Sequence, residues 1–265
     1  MDIATVGGLI LAVVVVVTVL ILDGGSPAEL IAHPSAILLT LGGSLVATAI
    51  TVPLEVTMRL PALIKVAAFQ KKENPQEIIE MMAVMADKAR REGLLALEEE
   101  ARKLEDPFLR KGIMMVVDGV EPAQVRTILE LEIHNMEGRH AQGYGFFNAA
   151  GGFSPTFGII GTVMGLISVL KNLSDPDSLA KSIAAAFLAT LWGLISANLL
   201  FLPLGGKLLS KSHEEVVFRR MLLEGILSLQ AGENPRLIRD KLNVFLAPKA
   251  RAEEGKAGAK AEAKA

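Results

Sequence analysis

Cysteine is absent from all 265 residues, which excludes disulfides and thiolate metal sites. Basic residues are not in excess either, because 27 lysines and arginines against 29 acids leave a net charge of −2. That balance argues against a nucleic-acid partner, which favours clustered basic surface. The four histidines are scattered, no cysteine stands near them, and the carboxylates at ligand spacing from some of them are there only as neighbours on a predicted helix, so we predict no metal site. They are His33, His134, His140 and His213.

Ionisable side chains are also missing from four long apolar segments. No acid, base or histidine occurs in residues 3–22, 35–54, 155–170 and 182–204. Each segment approaches the roughly 17–25 residues needed to cross a bilayer, the third only when residues 151–154 are counted with it. Ion-binding sites at bilayer depth are normally ionisable, so this chain cannot bind and pass a cation with a carboxylate of its own. We interpret it as one half of a two-part device.

The composition fits membrane spans that alternate with solvated segments. Hydrophobic residues make up 51% of the chain and the mean hydropathy is +0.43, yet 21% of the residues are charged. The first segment lacks a basic leader and a small-residue cleavage site, so it is predicted to be a retained span. Of the 27 basic residues, 25 lie between Arg59 and Arg139 or after Leu204. The positive-inside rule therefore predicts that this insert and both termini are cytoplasmic.

Helical periodicity dominates outside the spans, so the predicted fold class is all-α. Prolines that mark helix starts punctuate the insert at positions 53, 61, 75, 107 and 122. Between them, Ile78, Met82, Met85, Ala89 and Leu97 recur at helical spacing along one predicted helix, which indicates a buried stripe. Core packing is the expected role of that stripe. The residues before two of the prolines, at positions 74 and 106, are predicted N-caps.

The sequence predicts five segments. They are two transmembrane helices in 1–54, a cytoplasmic helical domain in 55–150, two further transmembrane helices in 151–204, cytoplasmic C-terminal helices in 205–246 and a disordered tail in 247–265.

The third and fourth spans differ from the first two in their small and polar residues. Gly161, Gly165, Ala185, Ala189, Gly193 and Ala197 fall at four-residue spacing, which lets helix backbones approach closely in lipid. Hydroxyls at Thr162 and Thr190 lie about mid-span on these two helices. A hydroxyl in a span often only bonds back to its own helix, but two of them can hydrate an ion path without burying a charge. Pro155 is predicted to open the third span and Pro203 to close the fourth, as helix ends or as a pair of hinges.

Three stretches of sequence resemble the MotA/PomA family, the A subunit of the flagellar motor stator. They are ADKARREGLLALE, SPTFGIIGTVMGLISVLKNLSDP and AFLATLWGLISANLLFLPL, and the resemblance covers residues 1–246. It implies a polytopic protein of the bacterial inner membrane, with five A subunits around two B subunits. In that family a MotB-like B subunit supplies the ion-binding aspartate, and ion flow generates torque on the rotor protein FliG. The resemblance implies no enzyme activity and no cofactor.

The same resemblance assigns roles to individual residues. Arg90 and Glu98 match the family's charged pair that meets charges on FliG, and Arg91 is a further candidate for that contact. An exposed charged side chain on a helix usually has no specific binding role, so these assignments depend on the resemblance alone. On a continuous helix, Arg90 and Glu98 would lie about 80° apart.

The membrane residues are assigned in the same way. Pro155 and Pro203 match the prolines that couple ion binding to cytoplasmic movement, and Thr162 and Thr190 match positions that line the ion path. Sodium-type members carry a second threonine where this chain has Ala189. One hydroxyl fewer leaves fewer oxygens to replace a sodium hydration shell, so we favour protons.

Three alternatives remain open on the sequence. A sodium-driven stator of the same family is one. An ExbB/TolQ-like proton-driven transducer is another, although such proteins usually have three spans. The last is a non-conducting membrane scaffold that binds a cytoplasmic partner through its insert.

Overall fold

The computed structural model describes residues 3–69, 74–171, 175–246 and 248. Over these residues the chain forms α-helices and no β-strand, which confirms the all-α prediction. The helices are α1 (Ile3–Leu22), α2 (Pro27–Ile31), α3 (Pro34–Ile37), α4 (Gly43–Thr51), α5 (Leu54–Met58), α6 (Leu60–Ala68), α7 (Pro75–Glu92), α8 (Glu98–Lys103), α9 (Pro107–Val117), α10 (Pro122–Lys171), α11 (Pro176–Ile195), α12 (Leu202–Gln230) and α13 (Pro235–Asn243). The predicted disordered tail lies outside the described residues, apart from residue 248.

Three helical stretches among the described residues are long and apolar enough to cross a bilayer. They are Pro34–Thr51, Pro122–Lys171 and Ser178–Gln230, the last two through an apolar part of their length. A shorter apolar helix spans Val6–Leu22. It belongs to α1, whose 20 residues extend about 30 Å at 1.5 Å per residue, the thickness of a hydrocarbon core.

Two stretches of π-helix interrupt the apolar helices. One, Leu38–Gly42, joins α3 to α4, and the other, Ser196–Phe201, joins α11 to α12. At the end of the second, the Leu202 N–H donates to the Ala197 carbonyl, five residues earlier. Such wide turns are rare and concentrate at functional sites. Composition and periodicity gave no sign of either one.

Both membrane prolines lie inside helical runs, so neither of them terminates a helix, and their predicted position at the ends of the spans stays a prediction. Pro155 falls within the 50-residue helix α10, and Pro203 is the second residue of α12, which continues from the π-helical segment. A proline removes one backbone hydrogen bond and crowds the preceding turn. The wide turn ahead of Pro203 accommodates that loss. At Pro155, burial of the surrounding helix face outweighs one missing bond.

The predicted helix over residues 75–104 is divided at Gly93. α7 ends at Glu92, a 3₁₀ turn covers Leu94–Leu97, and α8 follows. Gly93 has φ of +87°, a conformation that glycine adopts without a steric penalty, and its N–H donates to the Ala89 carbonyl. The periodicity carried no sign of this break, because the apolar stripe continues through Leu97, which is fully buried.

The two predicted N-caps behave differently. The Asp106 carboxylate accepts a hydrogen bond from the Leu109 N–H at 2.8 Å and so caps α9. Asn74 also precedes its helix, but its side chain accepts no backbone bond and instead donates to the Glu77 carboxylate at 2.7 Å.

The chain divides into two compact units. The first comprises Met1–Lys71 and Arg139–Lys211, with a small core formed by Ala67, Phe147, Ala150, Phe201 and Leu208. The sole tryptophan, Trp192, ties α2 to α11 in this unit, because its indole N–H donates to the Leu30 carbonyl at 2.8 Å. The five-segment division given by the sequence refers to the membrane and stays a prediction.

The second unit comprises Lys72–Gly138 and Ser212–Ala265, and it holds the larger core. Its fully buried side chains include Ile79, Met82, Leu97, Leu109, Ile113, Leu129, Met221, Leu222, Ile226, Leu229 and Ile238. The predicted methionine-rich stripe is part of this core, as core packing required. Glycines admit large side chains at two places: Gly112 faces Ile226, and Gly225 faces Met82.

Candidate functional site

The last part of α10 and the helix α11 cross at glycine and alanine residues. A Cβ placed on Gly193 would lie 2.8 Å from the Ser154 carbonyl oxygen and 3.0 Å from the Gly158 Cα. One placed on Gly165 would lie 2.6 Å from the Ala186 Cβ. Contacts of 2.8 and 2.6 Å are too short for a real Cβ atom, so glycine is required at both positions for this approach. Small residues play this part in lipid, where packing rather than the hydrophobic effect holds helices together.

Thr162 on α10 and Thr190 on α11 meet within this crossing. Their hydroxyls are hydrogen-bonded to each other. The Thr162 hydroxyl also lies 3.1 Å from the Gly158 carbonyl and 3.2 Å from the Ala186 carbonyl on the neighbouring helix. One hydroxyl proton can serve only one of these three acceptors at a time. The pair can therefore reverse the direction of its hydrogen bonds without moving its helices.

Both threonines are half-buried, so neither residue is sealed in the interior of this unit. A hydroxyl is uncharged and both donates and accepts, which suits it to orient water or to coordinate a passing cation weakly. The spans carrying the pair contain no acid, base or histidine. The arrangement can thus conduct or solvate an ion, but the fixed negative charge that captures the ion must come from elsewhere.

A second hydroxyl pair, Ser154 and Ser196, occupies the same crossing eight residues before Thr162 and six after Thr190. Their side-chain oxygens are 2.5 Å apart, and both side chains are almost completely buried. Ser196 also lies 2.5 Å from the Trp192 carbonyl and begins the second π-helical segment. Sequence reasoning missed Ser154. The serine before Pro155 reads as an ordinary helix-end residue until its partner on the other helix is known.

Ala189 does not share the exposure of the threonines. Ala189 is 2% exposed and packs against Gly161. A Cβ placed on Gly161 would lie 2.5 Å from the Ala189 Cβ. The structure therefore places Ala189 inside the seam between the helices, one residue away from the hydroxyl pair. Its predicted place on the ion path stays a prediction.

Each proline follows one member of the buried serine pair in the sequence. Pro155 follows Ser154 directly, and Pro203 follows the π-helical segment that begins at Ser196. Each proline removes one backbone hydrogen bond from its helix, which makes its position a natural point of bending. The coupling role given to them by resemblance stays a prediction.

The three charged residues predicted to contact a rotor do not share one helix. Arg90 and Arg91 lie in the last turn of α7, and Glu98 begins α8 beyond the break at Gly93. The expected angle of 80° between Arg90 and Glu98 assumed a continuous helix, so it does not apply. All three side chains reach the surface of the second unit.

Local ion pairs hold two of these three residues. Arg91 pairs with Asp87 at 2.8 Å, and Glu98 pairs with Arg102 at 2.7 Å. Arg90 makes no ion pair with any residue that the structure describes. Among these three charges, Arg90 is the one whose binding to a partner need not first break an internal pair.

One further ion pair crosses the break at Gly93. The Lys88 amine on α7 lies 3.1 Å from the Glu100 carboxylate on α8. Its hydrogen bond, together with the charge of Lys103, lowers the pKa of Glu100. The pair thus links the helix of Arg90 to the helix of Glu98. As for metals, no group of three or more histidine or carboxylate side chains gathers among the residues with described positions.

The sequence of this chain matches a known protein family and several of its members. Residues 100–247 match the family described as the MotA/TolQ/ExbB proton channel family. Motility protein A of Bacillus subtilis (strain 168) is 39% identical over 261 residues, covering 97% of this chain and 96% of that protein. Chemotaxis protein PomA of Vibrio alginolyticus is 35% identical, covering 93% and 96%.

A solved structure is similar to this fold over most of the chain. In the flagellar MotAB stator complex from Bacillus subtilis, a chain 37% identical to this one superposes with a TM-score of 0.88. The match covers 94% of this chain and 97% of that one. The likeness therefore includes both units and all four apolar helices.

Proposed function

Since the chain belongs to the MotA/TolQ/ExbB proton channel family as the A subunit of a flagellar motor stator, we propose that it forms the collar of an ion path whose charge a B subunit supplies. The Thr162–Thr190 pair carries this proposal. Two polar side chains meet at a glycine-packed crossing in spans that hold no ionisable residue. A polar contact of this kind in lipid solvates an ion without a buried charge.

The partner is a MotB-like protein, as in the MotAB complexes to which this chain is similar. Its single transmembrane helix brings the aspartate that this chain lacks. Five copies of this chain surround two of that partner in the inner membrane, with both termini in the cytoplasm. The bias of 25 basic residues toward the insert and the C-terminal region supports this orientation.

Protons are the proposed ion. Ala189 offers no hydroxyl, and its methyl group is buried against Gly161. The oxygens near the path are then those of Thr162, Thr190 and two carbonyls. Few oxygens replace a sodium hydration shell poorly, whereas a proton needs only a carboxylate and ordered water. Torque acts on the rotor protein FliG through Arg90 and Glu98, with Arg91 beside them. No step in this cycle makes the chain an enzyme, and none needs a cofactor.

Proton uptake by vesicles tests the proposal. Vesicles with this chain and its B subunit should acidify under an imposed potential. Vesicles with this chain alone should leak no faster than empty ones, and neither should a complex whose B-subunit aspartate is replaced by asparagine. Robust flux from this chain alone would overturn the proposal, because the spans would then hold a conducting site of their own. Uptake that requires external sodium would overturn the choice of ion and leave the collar intact.

A non-conducting scaffold is the alternative from another class. It predicts no flux from either vesicle preparation, even when both subunits are present in equal amounts. An ExbB/TolQ-like transducer would conduct with its own partner but would not restore swimming to a strain that lacks its stator A subunit. Complementation of such a strain therefore separates the transducer hypothesis from the stator hypothesis.

A further inference from the structure

We propose that α5 and α6 form a binding surface for anionic phospholipid headgroups, with Arg59 and Lys65 as its phosphate-binding side chains. This inference rests on the membrane orientation proposed above, which places the two helices at the cytoplasmic end of the span Pro34–Thr51. Only Val52 and Pro53 separate that span from α5. The chain therefore has no length in which to leave the bilayer surface before these helices begin.

One side of α6 packs into the small core of the first unit, to which this helix belongs. Leu60, Leu63 and Ala67 recur at three- and four-residue spacing and pack on the small core of that unit. Leu63 also fits against Gly143, where a Cβ would lie 3.1 Å from it. The opposite side of the helix is thus turned outward, and Lys65 lies on it, exposed.

Large apolar side chains are exposed along α5, α6 and the residue that follows α6, beside Lys65. Met58 is 75% exposed and Val66 is 50% exposed, and Ile64 and Phe69 are exposed as well. An exposed apolar surface beside a lysine is typical of a helix lying in the bilayer interface, where the lysine stem crosses the apolar layer and its amine reaches the headgroups. Arg59, at the junction of α5 and α6, is exposed in the same way.

The C-terminal end of α6 is neutralised. Its carbonyls would otherwise present partial negative charge to a phosphate. The Lys211 amine donates to the Phe69 carbonyl at 3.0 Å and to the Val66 carbonyl. The only acid in α5 or α6 is Glu55. The surface therefore carries a positive balance, which matches an anionic lipid and not a zwitterionic one.

A cysteine-free chain permits a direct test. Met58→Cys is labelled with a bimane fluorophore, and the complex with its B subunit, freed of any cysteine, is reconstituted in phosphatidylcholine. Quenching is then compared for nitroxide-labelled phosphatidylglycerol and nitroxide-labelled phosphatidylcholine. Each basic residue near an anionic surface contributes about fivefold in lipid affinity. The unmodified surface should therefore prefer phosphatidylglycerol by about 25-fold, and Arg59→Gln with Lys65→Gln should abolish the preference.

Two variants control for charge and for folding. Arg220→Gln with Arg236→Gln removes the same charge from exposed positions of the second unit and should leave the preference unchanged. Arg59→Lys with Lys65→Arg should retain it. Equal quenching by both lipids before substitution, or a preference that survives the glutamines, would overturn the proposal. Quenching by neither lipid would overturn it too, since protein would then cover this side. Because quenching does not depend on ion flux, its outcome is independent of the proposed conduction.

Discussion

Asp106 and Arg219 form an ion pair of 2.5 Å, and the same carboxylate caps α9 through its other oxygen. Both side chains are largely buried, and the Arg219 guanidinium also lies over the Phe108 ring, 5.4 Å from its centroid. One carboxylate thus satisfies an orphan backbone N–H and a partly desolvated cation. This relationship joins the start of α9 to α12 within the second unit.

Replacing Asp106 by alanine should lower the stability of the second unit by about 2 kcal/mol, because it removes an N-cap and leaves Arg219 short of a partner. Asp106→Asn keeps an acceptor for the Leu109 N–H and should cost about half as much. Thermal unfolding of the purified complex, followed by circular dichroism, measures both. Asn74→Ala is the matched control, because Asn74 precedes a helix without capping it. Equal losses for Asp106→Ala and Asn74→Ala would contradict the dual role.

Gly93 is predicted to tolerate no side chain, although nothing lies near it. Its φ of +87° is the obstacle, and alanine there should cost about 1–3 kcal/mol or force α7 and α8 into one helix. Gly138→Ala in α10 is the control, because that site is equally open and has no positive φ. It should be neutral or stabilising by up to about 1 kcal/mol. Swimming speed provides a second readout, since Arg90 and Glu98 lie on either side of the break. Full stability and motility in Gly93→Ala would show that the break is dispensable.

Glu80 and Arg239 give a pH-dependent contact between α7 and α13. A hydrogen bond from Arg239, reinforced by its charge, lowers the pKa of Glu80 below the ordinary value of 4.5. A lowered carboxyl pKa stabilises the fold above that ordinary value, and the contribution disappears as the pH falls through the folded-state pKa. Both side chains are well exposed, so the coupling should be at most about 0.5 kcal/mol at pH 7.

A double-mutant cycle of Glu80→Gln and Arg239→Gln at pH 7 and at pH 4 measures this coupling. It should shrink at the lower pH. Glu99→Gln, at an exposed position of α8, should show no coupling to Arg239 at either pH. A coupling that grows on acidification would contradict the assigned sign.

Sequence patterns anticipated the apolar helices, the methionine-rich core and most helix starts, because these follow from periodicity and from prolines at first turns. Asp106 and the helix beginning at Pro107 are examples. The break at Gly93 was not anticipated, because a single glycine in an apolar stripe is also compatible with an unbroken helix. The continuity of α10 through Pro155 was missed for the opposite reason. Tertiary packing there outweighs the preference of one residue.

The candidate site, like the fold, could be predicted from the sequence only in part. Thr162 and Thr190 were singled out, but only the fold shows that their hydroxyls meet. Ser154 and Ser196 lie 42 positions apart, and no local pattern pairs them. Ala189 shows the limit of residue identity alone, since its burial against Gly161 depends on how two helices cross.

The buried serine pair predicts a specific cross-link. Because the chain has no cysteine, Ser154→Cys with Ser196→Cys introduces the only two thiols, and side chains whose oxygens lie 2.5 Å apart suit a disulfide. Mild oxidation should close it within one chain in native membranes, read as a mobility shift that dithiothreitol reverses. Thr156→Cys with Ser196→Cys is the control and should stay reduced, since Thr156 is exposed and bonds to its own helix. Equal oxidation of both pairs would mean that the crossing differs in the membrane.

Removing one hydroxyl of the threonine pair should impair ion flow without unfolding the helices. Thr162→Val keeps the shape of the side chain and its packing, but it leaves Thr190 without its partner and removes the contact to the Ala186 carbonyl. The loss of one polar contact of about 1.4 kcal/mol along the path should slow proton uptake about tenfold. Thr190→Val should act similarly, and Thr162→Ser should restore most of the rate. Thr156→Val, six residues earlier on the same helix, is the matched control and should conduct normally, because its hydroxyl bonds to the Phe153 carbonyl of its own helix. If both valine variants conduct at the full rate in vesicles with the B subunit, the hydroxyl pair is structural and the ion takes another route.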